Sequence, residues 1–535
     1  MKTTTRLIIS GLAVAALLTA GWLGFDEQPN LTSNNITSDQ LAAGQTPDLV
    51  RSQDVIDAKI QRKENKLAGK KADTPKNPAD RAAWEVAQRV GDDGTIPDGA
   101  LMRAKDQFDQ LAKNYVPVND KDNGIQSWDW LGPGNIGGRI RAIAIHPDDP
   151  STMWIGGVAG GIWKTTNGGG SWSPMSDFIA NLAVTFLVLD PNDPDILYAS
   201  TGEGFGNADQ LRGAGIFKST DGGVNWNQLA DTANSTFYWV NRLAHHPTES
   251  GHLFAATDGD LYESVDGGAT WTSNFNPFGD CLDVRIHPSD GDLMLLGTST
   301  NAYFSDDGGS SWTRITDGTN STLTSPGRCE VAFAFSDTDV FFLSVDTNGG
   351  EIWRSTDGGG SWSMRTTGDN YLNTQGWYDN AIWVSPVDPD FVIVGGIDLW
   401  RSTDGGSTLT KISTWRNYHI SPFSAHADQH IIIHHPDFDG STNKQVFFGN
   451  DGGIQTAVDV ETVSNTSGWS NLANNLGITQ FFRGAAAPDG SVIVGGAQDN
   501  DHLRYRPGDG VQGWYQAETG DGGYAAVNFD DPSII

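Results

Sequence analysis

Ser355-Thr356-Asp357-Gly358-Gly359-Gly360-Ser361-Trp362 is one copy of a stretch that returns along the chain. Thr165–Trp172 reads TTNGGGSW, Ser219–Trp226 STDGGVNW, Ser264–Trp271 SVDGGATW and Ser305–Trp312 SDDGGSSW. Ser402–Leu409 reads STDGGSTL, with Leu409 in the place of Trp, and Asn450-Asp451-Gly452-Gly453 reads as a degenerate seventh copy. The central residues Asn167, Asp221, Asp266, Asp307, Asp357, Asp404 and Asp451 are separated by 54, 45, 41, 50, 47 and 47 residues. Self-similarity at that period means stacked supersecondary units.

Asp before Gly-Gly is a hairpin signal, because Gly supplies positive φ and Asp bonds nearby backbone amides. Short apolar strands precede the turns, such as Ile216-Phe217-Lys218 and Ile352-Trp353-Arg354. The Trp after the turn opens the returning strand and can pack across the hairpin. The pattern resembles the Asp-box, or bacterial neuraminidase repeat. That resemblance implies β-propeller blades with the boxes on the outside, so each central Asp or Asn reads as a turn staple.

Outward from the boxes, the rest of the unit becomes visible. One strand ends in a Pro-centred turn, as at Ile145-His146-Pro147, His245-His246-Pro247, Ile286-His287-Pro288 and His434-His435-Pro436. A second strand follows, for example Met153 to Gly156, Leu253 to Ala256 and Gln445 to Gly449. A third leads into the box and a fourth leaves it. Four antiparallel strands make a propeller blade. The expectation is an all-β, multi-bladed β-propeller with at least eight four-stranded blades, preceded by two short helices. First strands number nine, the last at Tyr524 to Asn528, and Ile535 comes where a second strand should begin. Either Trp128-Asp129-Trp130 closes a short last blade or the sequence is a fragment, and the run Asp530 to Ile535 favours the fragment.

The 535 residues carry a net charge of −32, a surface that repels nucleic acid and anionic membrane. Two positive charges in Met1–Arg6 precede an apolar run from Leu7 to Phe25, which reads as an export signal or an N-terminal anchor. Contact with a membrane is expected only through that segment. Residues 26–76 read as a linker and 77–116 as a helical pair, Pro78–Val90 and Pro97–Asn114, with the propeller over 117–535. Leu101, Ala104, Phe108, Leu111 and Ala112 form the second helix's apolar stripe, expected on the propeller flank. Cys281 and Cys329 hold the same position in neighbouring units, and export permits a disulfide between them, although spacing leaves open whether the thiols face each other.

Beyond the boxes, GPGNIGGRIRAIAIHP, QGWYDNAIWVSP (Gln375–Pro386), HADQH (His426–His430), GNDGG (Gly449–Gly453), GGAQDN (Gly495–Asn500) and GDGGYAAVNFDDP (Gly520–Pro532) resemble one family. It comprises large exported bacterial proteins with neuraminidase-type repeats, similar to the ligand-binding propeller of sortilin-type receptors. The expected function is binding, by a monomeric propeller scaffold that presents loops to a protein, peptide or glycan. Tyr378, Gln498 and Asp499 resemble family motifs near the propeller centre, and together with Arg139 and Arg141 they are the binding candidates. The alternative is a glycoside hydrolase with a carboxylate pair in a central cleft, as in xyloglucanase-type propellers. The Phe/Tyr-Arg-Ile/Leu-Pro motif of sialidases is absent, since Arg139 and Arg141 lie in Gly-Gly-Arg-Ile-Arg. Catalytic candidates are Glu203, in a Gly-rich loop after a second strand, with Asp379 and Asp428. On a strand, His426, Asp428 and His430 would share a face and could hold a divalent metal; a buried hydrogen-bonded network is the other reading. His419, His434 and His435 lie close by in sequence. No cofactor is otherwise required.

Overall fold

The structure, a computed structural model, describes residues 99–114, 129–175, 182–207, 210–316, 327–366, 369–418, 423–517 and 521–535, with the single positions 90 and 97. The segments read as export signal, linker and first helix lie outside the described residues, as do His419 and Trp128. No helix among the described residues is long and apolar enough to cross a membrane.

Eight four-stranded antiparallel sheets follow one another, spanning residues 140–175, 184–228, 240–275, 281–314, 329–366, 381–411, 429–471 and 481–516. Within each sheet the strand order equals the chain order. In the first seven sheets the innermost strands are mostly buried and rich in β-formers, as in Ile140–Ile145 and Val184–Leu189, while outermost strands are short and polar, as in Thr313–Arg314. The cores form between blades. Ile140, Ile143 and Ile155 of the first blade pack with Ile431, Phe447 and Ile454 of the seventh. The first strand of the first blade therefore adjoins that of the seventh, and seven blades close a ring. The eighth sheet lies outside that closure. Its first strand, Phe481–Ala486, is largely exposed, and its apolar residues pack with Ile136 on one side and Val527 on the other. Tyr524–Asn528, expected as a ninth first strand, is not a strand: Val527 runs beside the eighth sheet instead, and Asn528 N bonds Ile534 O at 3.0 Å.

Parity of the strands sorts the turns. Links between first and second strands and between third and fourth strands fall at one end of every blade. Links between second and third strands, and the entries to first strands, fall at the other. In the Asp357 turn Ser355 Oγ donates to Asp357 Oδ1 at 2.9 Å, which also accepts Ser361 N at 2.8 Å. Gly358 and Gly359 have φ of 66° and 87°, and Trp362 Nε1 donates to Gly359 O at 3.2 Å. The turns at Asn167, Asp221, Asp266, Asp307 and Asp404 repeat the carboxylate or amide bond to the backbone four residues on. All six lie between third and fourth strands. Asp451 does not. It follows the second strand Val446–Asn450 and precedes the third, Gly453–Ala457, so it stands at the opposite end.

Cys281 and Cys329 open the first strands of the fourth and fifth blades, yet both thiols are free. Each is spent on a nearby carbonyl, Gly259 O and Gly327 O, at 3.4 Å, and burial pushes both thiols up. The helix Ala100–Asn114 touches the propeller through Met102, which packs with Trp154 and Phe217. Phe108 and Leu111 of the expected stripe are 45% and 64% exposed.

Candidate functional site

The end of the ring opposite the Asp-Gly-Gly turns collects the buried charges. Arg139 and Arg141 come from the entry to the first blade's inner strand. Glu203 follows the second blade's second strand, Tyr378 and Asp379 precede the sixth blade, and Asp428 precedes the seventh. Asp499 lies between the second and third strands of the eighth sheet. Beta-bulges help to aim them. Register shifts leave Arg141 as the extra residue between Ile140 and Ala142, and His430 as the extra residue between Gln429 and Ile431. A bulge turns an added side chain out of the alternating pattern, here towards the centre.

Arg139 joins three acids. Its Nε donates to Asp451 Oδ1 at 3.1 Å, Nη1 to Glu203 Oε2 at 3.0 Å and Nη2 to Asp499 Oδ2 at 3.3 Å. Arg141 Nε donates to Glu203 Oε1 at 2.8 Å, and its guanidinium lies 4.0 Å from the centroid of the Phe205 ring. Glu203 also accepts Asn207 Nδ2 at 3.0 Å. Asp451 accepts the Tyr378 hydroxyl at 2.9 Å and meets His430 Nε2 at 2.6 Å. Gln375 Nε2 bridges Asp428 Oδ1 and Asp379 Oδ2 at 3.3 and 3.4 Å. Gln498 Nε2 donates to its neighbour Asp499 at 3.1 Å.

Proton affinities diverge across this cluster. Burial works to raise Asp451, but Arg139, His430 and Arg141 outweigh it and hold the carboxyl well below its ordinary value. Burial and Arg141 push His430 down to about 4, against the pull of Asp451. His430 is therefore neutral near pH 7, with its Nε2 proton directed at an ionised Asp451. Asp499 goes the other way: burial, Asp451 and Asp521 push it well above the ordinary carboxylate range despite Arg139. Its side chain keeps 19% exposure and so remains reachable. Burial raises Tyr378 well above an ordinary phenol, so it donates as a neutral hydroxyl.

The five binding candidates, Arg139, Arg141, Tyr378, Gln498 and Asp499, are brought together with Glu203. The proposed metal triad of His426, Asp428 and His430 is not. Asp428 has φ of 68°, the inner strand begins only at Gln429, and the bulge follows at once, so the alternation that would align the three fails. His426 instead packs edge-on to Tyr418 at 4.3 Å. Among the described residues the oxygens that converge are those of Asp428, Asp451 and Asp499, all within 4.8 Å of one another. Asp451, read from sequence as a turn staple, is thus the hub of the site. Gln375 and Asn207 escaped the sequence reading. So did a second buried network, in which Arg242 meets Asp283 at 2.8 Å and Glu330 at 3.2 Å, and Arg328 meets Glu330 at 2.6 Å. Arg328 Nη1 also donates to Tyr378 O at 2.6 Å, linking the two networks. The available signal was charge inside apolar inner strands, as in Arg328-Cys329-Glu330.

A family model described as Sortilin-Vps10, "Sortilin, neurotensin receptor 3", matches residues 214–348. An oligoxyloglucan-reducing end-specific xyloglucanase from Emericella nidulans is 28% identical over 152 residues, 25% of this chain and 18% of that protein. A xyloglucanase from Hypocrea jecorina is 30% identical over 159 residues, 27% of this chain and 19% of that protein. The chain thus matches under a fifth of the length of these relatives. Among solved structures, the GH74 xyloglucanase from Xanthomonas campestris superposes with a TM-score of 0.51 at 18% identity, covering 75% of this chain and 70% of that one. The Niastella koreensis GH74 enzyme gives 0.51 at 20% identity, covering 74% and 69%. These structures share the propeller fold.

Proposed function

We propose that the protein is an exported glycoside hydrolase that cleaves a polysaccharide at the acidic centre of the propeller, with Asp499 as general acid and Asp451 as its carboxylate partner. One observation carries this reading: two carboxylates from different sheets stand within 4.8 Å, and their surroundings drive their proton affinities apart. That split is how a pair of like groups divides into acid and base. Hydrolysis of a glycoside needs one carboxylic acid to protonate the leaving oxygen and one carboxylate to stabilise or attack the sugar. Trp377, 46% exposed and next to Tyr378, offers an apolar face for a sugar ring at the same place. Similarity to xyloglucanases makes xyloglucan the first substrate to try. The apolar run from Leu7 to Phe25 supports export.

The test is release of reducing ends from xyloglucan and other β-glucans by the full chain. Asp499→Asn should lower the rate by about 100-fold or more. A folded protein that releases nothing from the panel, or an Asp499→Asn variant as fast as the parent, overturns the reading. A second reading, glycan binding without turnover, is favoured by how fully Glu203 and Asp451 are engaged by Arg139, Arg141, Tyr378 and His430. Saturable binding of xyloglucan with no product would select it.

A further inference from the structure

The link 276–280 leaves the last strand of the third blade, Thr272–Phe275, and enters the first strand of the fourth, Cys281–His287. Strand parity therefore sets it at the same end of the ring as the acidic cluster. Phe278, in the middle of the link, is 77% exposed. A single exposed ring is ordinary on a protein surface. The frame that holds this one is less so. Phe278 N donates to the Tyr303 hydroxyl at 3.2 Å, and Phe278 O accepts Thr300 Oγ1 at 2.7 Å and Asn301 Nδ2 at 3.3 Å. On one side Pro277 is buried and the Asn276 amide donates to Asp260. On the other, Asp280 N donates to Ser299 Oγ at 3.0 Å and Asp280 O accepts Ser299 N at 2.9 Å. The backbone on both sides of the ring is fixed while the ring itself meets solvent. An aromatic held in this way loses little conformational freedom when something stacks on it.

The surroundings of the ring select what would stack. Asn276 and Asp280 are exposed, and Ser299 and Thr300 are half-buried, so Phe278 stands in a polar frame and not in an apolar patch. A stable protein partner needs a broad, contiguous contact with an apolar core. A pyranose needs one ring: its C–H bonds, slightly positive, meet the negative face of the aromatic, and its hydroxyls meet polar groups at the edge. The net charge of −32, with Asp280 beside the ring, opposes an anionic polymer.

We propose that Phe278 is a sugar-binding platform, apart from the acidic centre, that takes a pyranose ring of a neutral polysaccharide. The platform rests on the glycan reading above and narrows it. Trp377 and Phe278 stand on links into the sixth and fourth blades, so a ligand that occupies both is a polymer whose chain crosses the end of the fifth.

The experiment is native electrophoresis of the full chain through gels cast with xyloglucan or with mixed-linkage β-glucan, in an Asp499→Asn background so that turnover does not erode the polymer. At least one polymer should retard the protein. Adding Phe278→Ala should raise the polymer concentration needed for the same retardation by about tenfold, the scale of one aromatic contact truncated to alanine. Phe278→Trp should keep the retardation, and Phe278→Leu, apolar but without a ring face, should match Phe278→Ala. Melting temperature should not move in any of these variants, as for surface substitutions generally. In the hydrolysis assay, Phe278→Ala should raise KM on the polymer and leave kcat unchanged. Retardation kept in full by Phe278→Ala overturns the platform alone, and so does retardation kept by Phe278→Leu. A protein retarded by neither polymer overturns the platform together with the glycan reading on which it rests.

Discussion

Asp404 and Asp451 lie 47 residues apart in similar words, Ser402-Thr403-Asp404-Gly405-Gly406 and Asn450-Asp451-Gly452-Gly453, and do different work. Asp404 staples an outer turn. It accepts Ser402 Oγ, Thr408 N and Thr408 Oγ1, each at 2.8 Å, from residues within four positions of itself. Asp451 is bonded by Arg139, Tyr378 and His430, up to 312 residues away. The glycines differ too. Gly405 and Gly406 are needed for their φ of 65° and 86°. Gly452 is needed for closeness, since a Cβ there would lie 2.3 Å from the His426 ring. Local satisfaction makes a turn, and non-local satisfaction makes a site.

The comparison breaks first at Asp451. Asp451→Ala takes one of three carboxylates from Arg139 and leaves the Tyr378 hydroxyl and His430 Nε2 without their buried acceptor, and should destabilise the protein by about 3–5 kcal/mol in urea denaturation. Asp404→Ala loses bonds that water can replace and should cost about 1 kcal/mol. Equal losses would mean that Asp451 is only another turn residue.

That distinction was legible in part. The repeat, the strand order and the eight sheets follow from spacing and alternation, because a box and a Pro-centred turn are local chemistry that any single window shows. The misreading of Asp451 was also avoidable. Val446–Asn450 is the second strand of its blade, so the turn that follows joins second to third strand and faces the opposite end from the boxes. A spacing of 47 residues agreed by coincidence. The bulges at Arg141 and His430 were not legible, because an added residue in a strand leaves the apolar pattern of its neighbours unchanged. Nor was the meeting of Asp428 with Asp499, 71 residues on, which depends on how the eighth sheet sits beside the ring.

The second buried network sharpens the contrast through pH. Burial and Asp283 raise Glu330 from an ordinary 4.5 to about 7, against Arg328 and Arg242. A carboxyl raised on folding stabilises fully below its unfolded value, and that stability is lost as pH rises from about 4.5 to about 7. Glu330→Gln keeps a hydrogen-bonding group and cannot ionise. Relative to the parent it should therefore gain up to a few kcal/mol between pH 4.5 and 7.5, since each pKa unit is worth about 1.4 kcal/mol. The difference between the two proteins is the quantity to read from denaturation at the two pH values, because His430 and His434, both pushed down to about 4 by burial, tilt both curves the opposite way. A difference independent of pH would show that Glu330 is ionised throughout.

The smallest expected effect lies in the first box, where Asn167 stands in place of Asp. Asn167 Oδ1 accepts Ser171 N at 2.8 Å and Thr165 Oγ1 at 2.7 Å, and its Nδ2 lies 3.1 Å from Ser171 Oγ. In the Asp357 turn the same two serine atoms are bound with the hydroxyl reversed: Ser361 Oγ donates to Asp357 Oδ2 at 2.6 Å. Asn167→Asp needs only that rotation of the Ser171 hydroxyl at an exposed position. The change in stability should stay within about 0.5 kcal/mol, as for surface substitutions generally. Hydrogen bonds at the rim tolerate exchange because both partners can turn to suit. Asp451→Asn, the reverse exchange at the hub, should cost far more, because Arg139 and His430 would lose the charge they face and neither can turn away. Comparable small effects at both positions would erase the distinction between rim and centre.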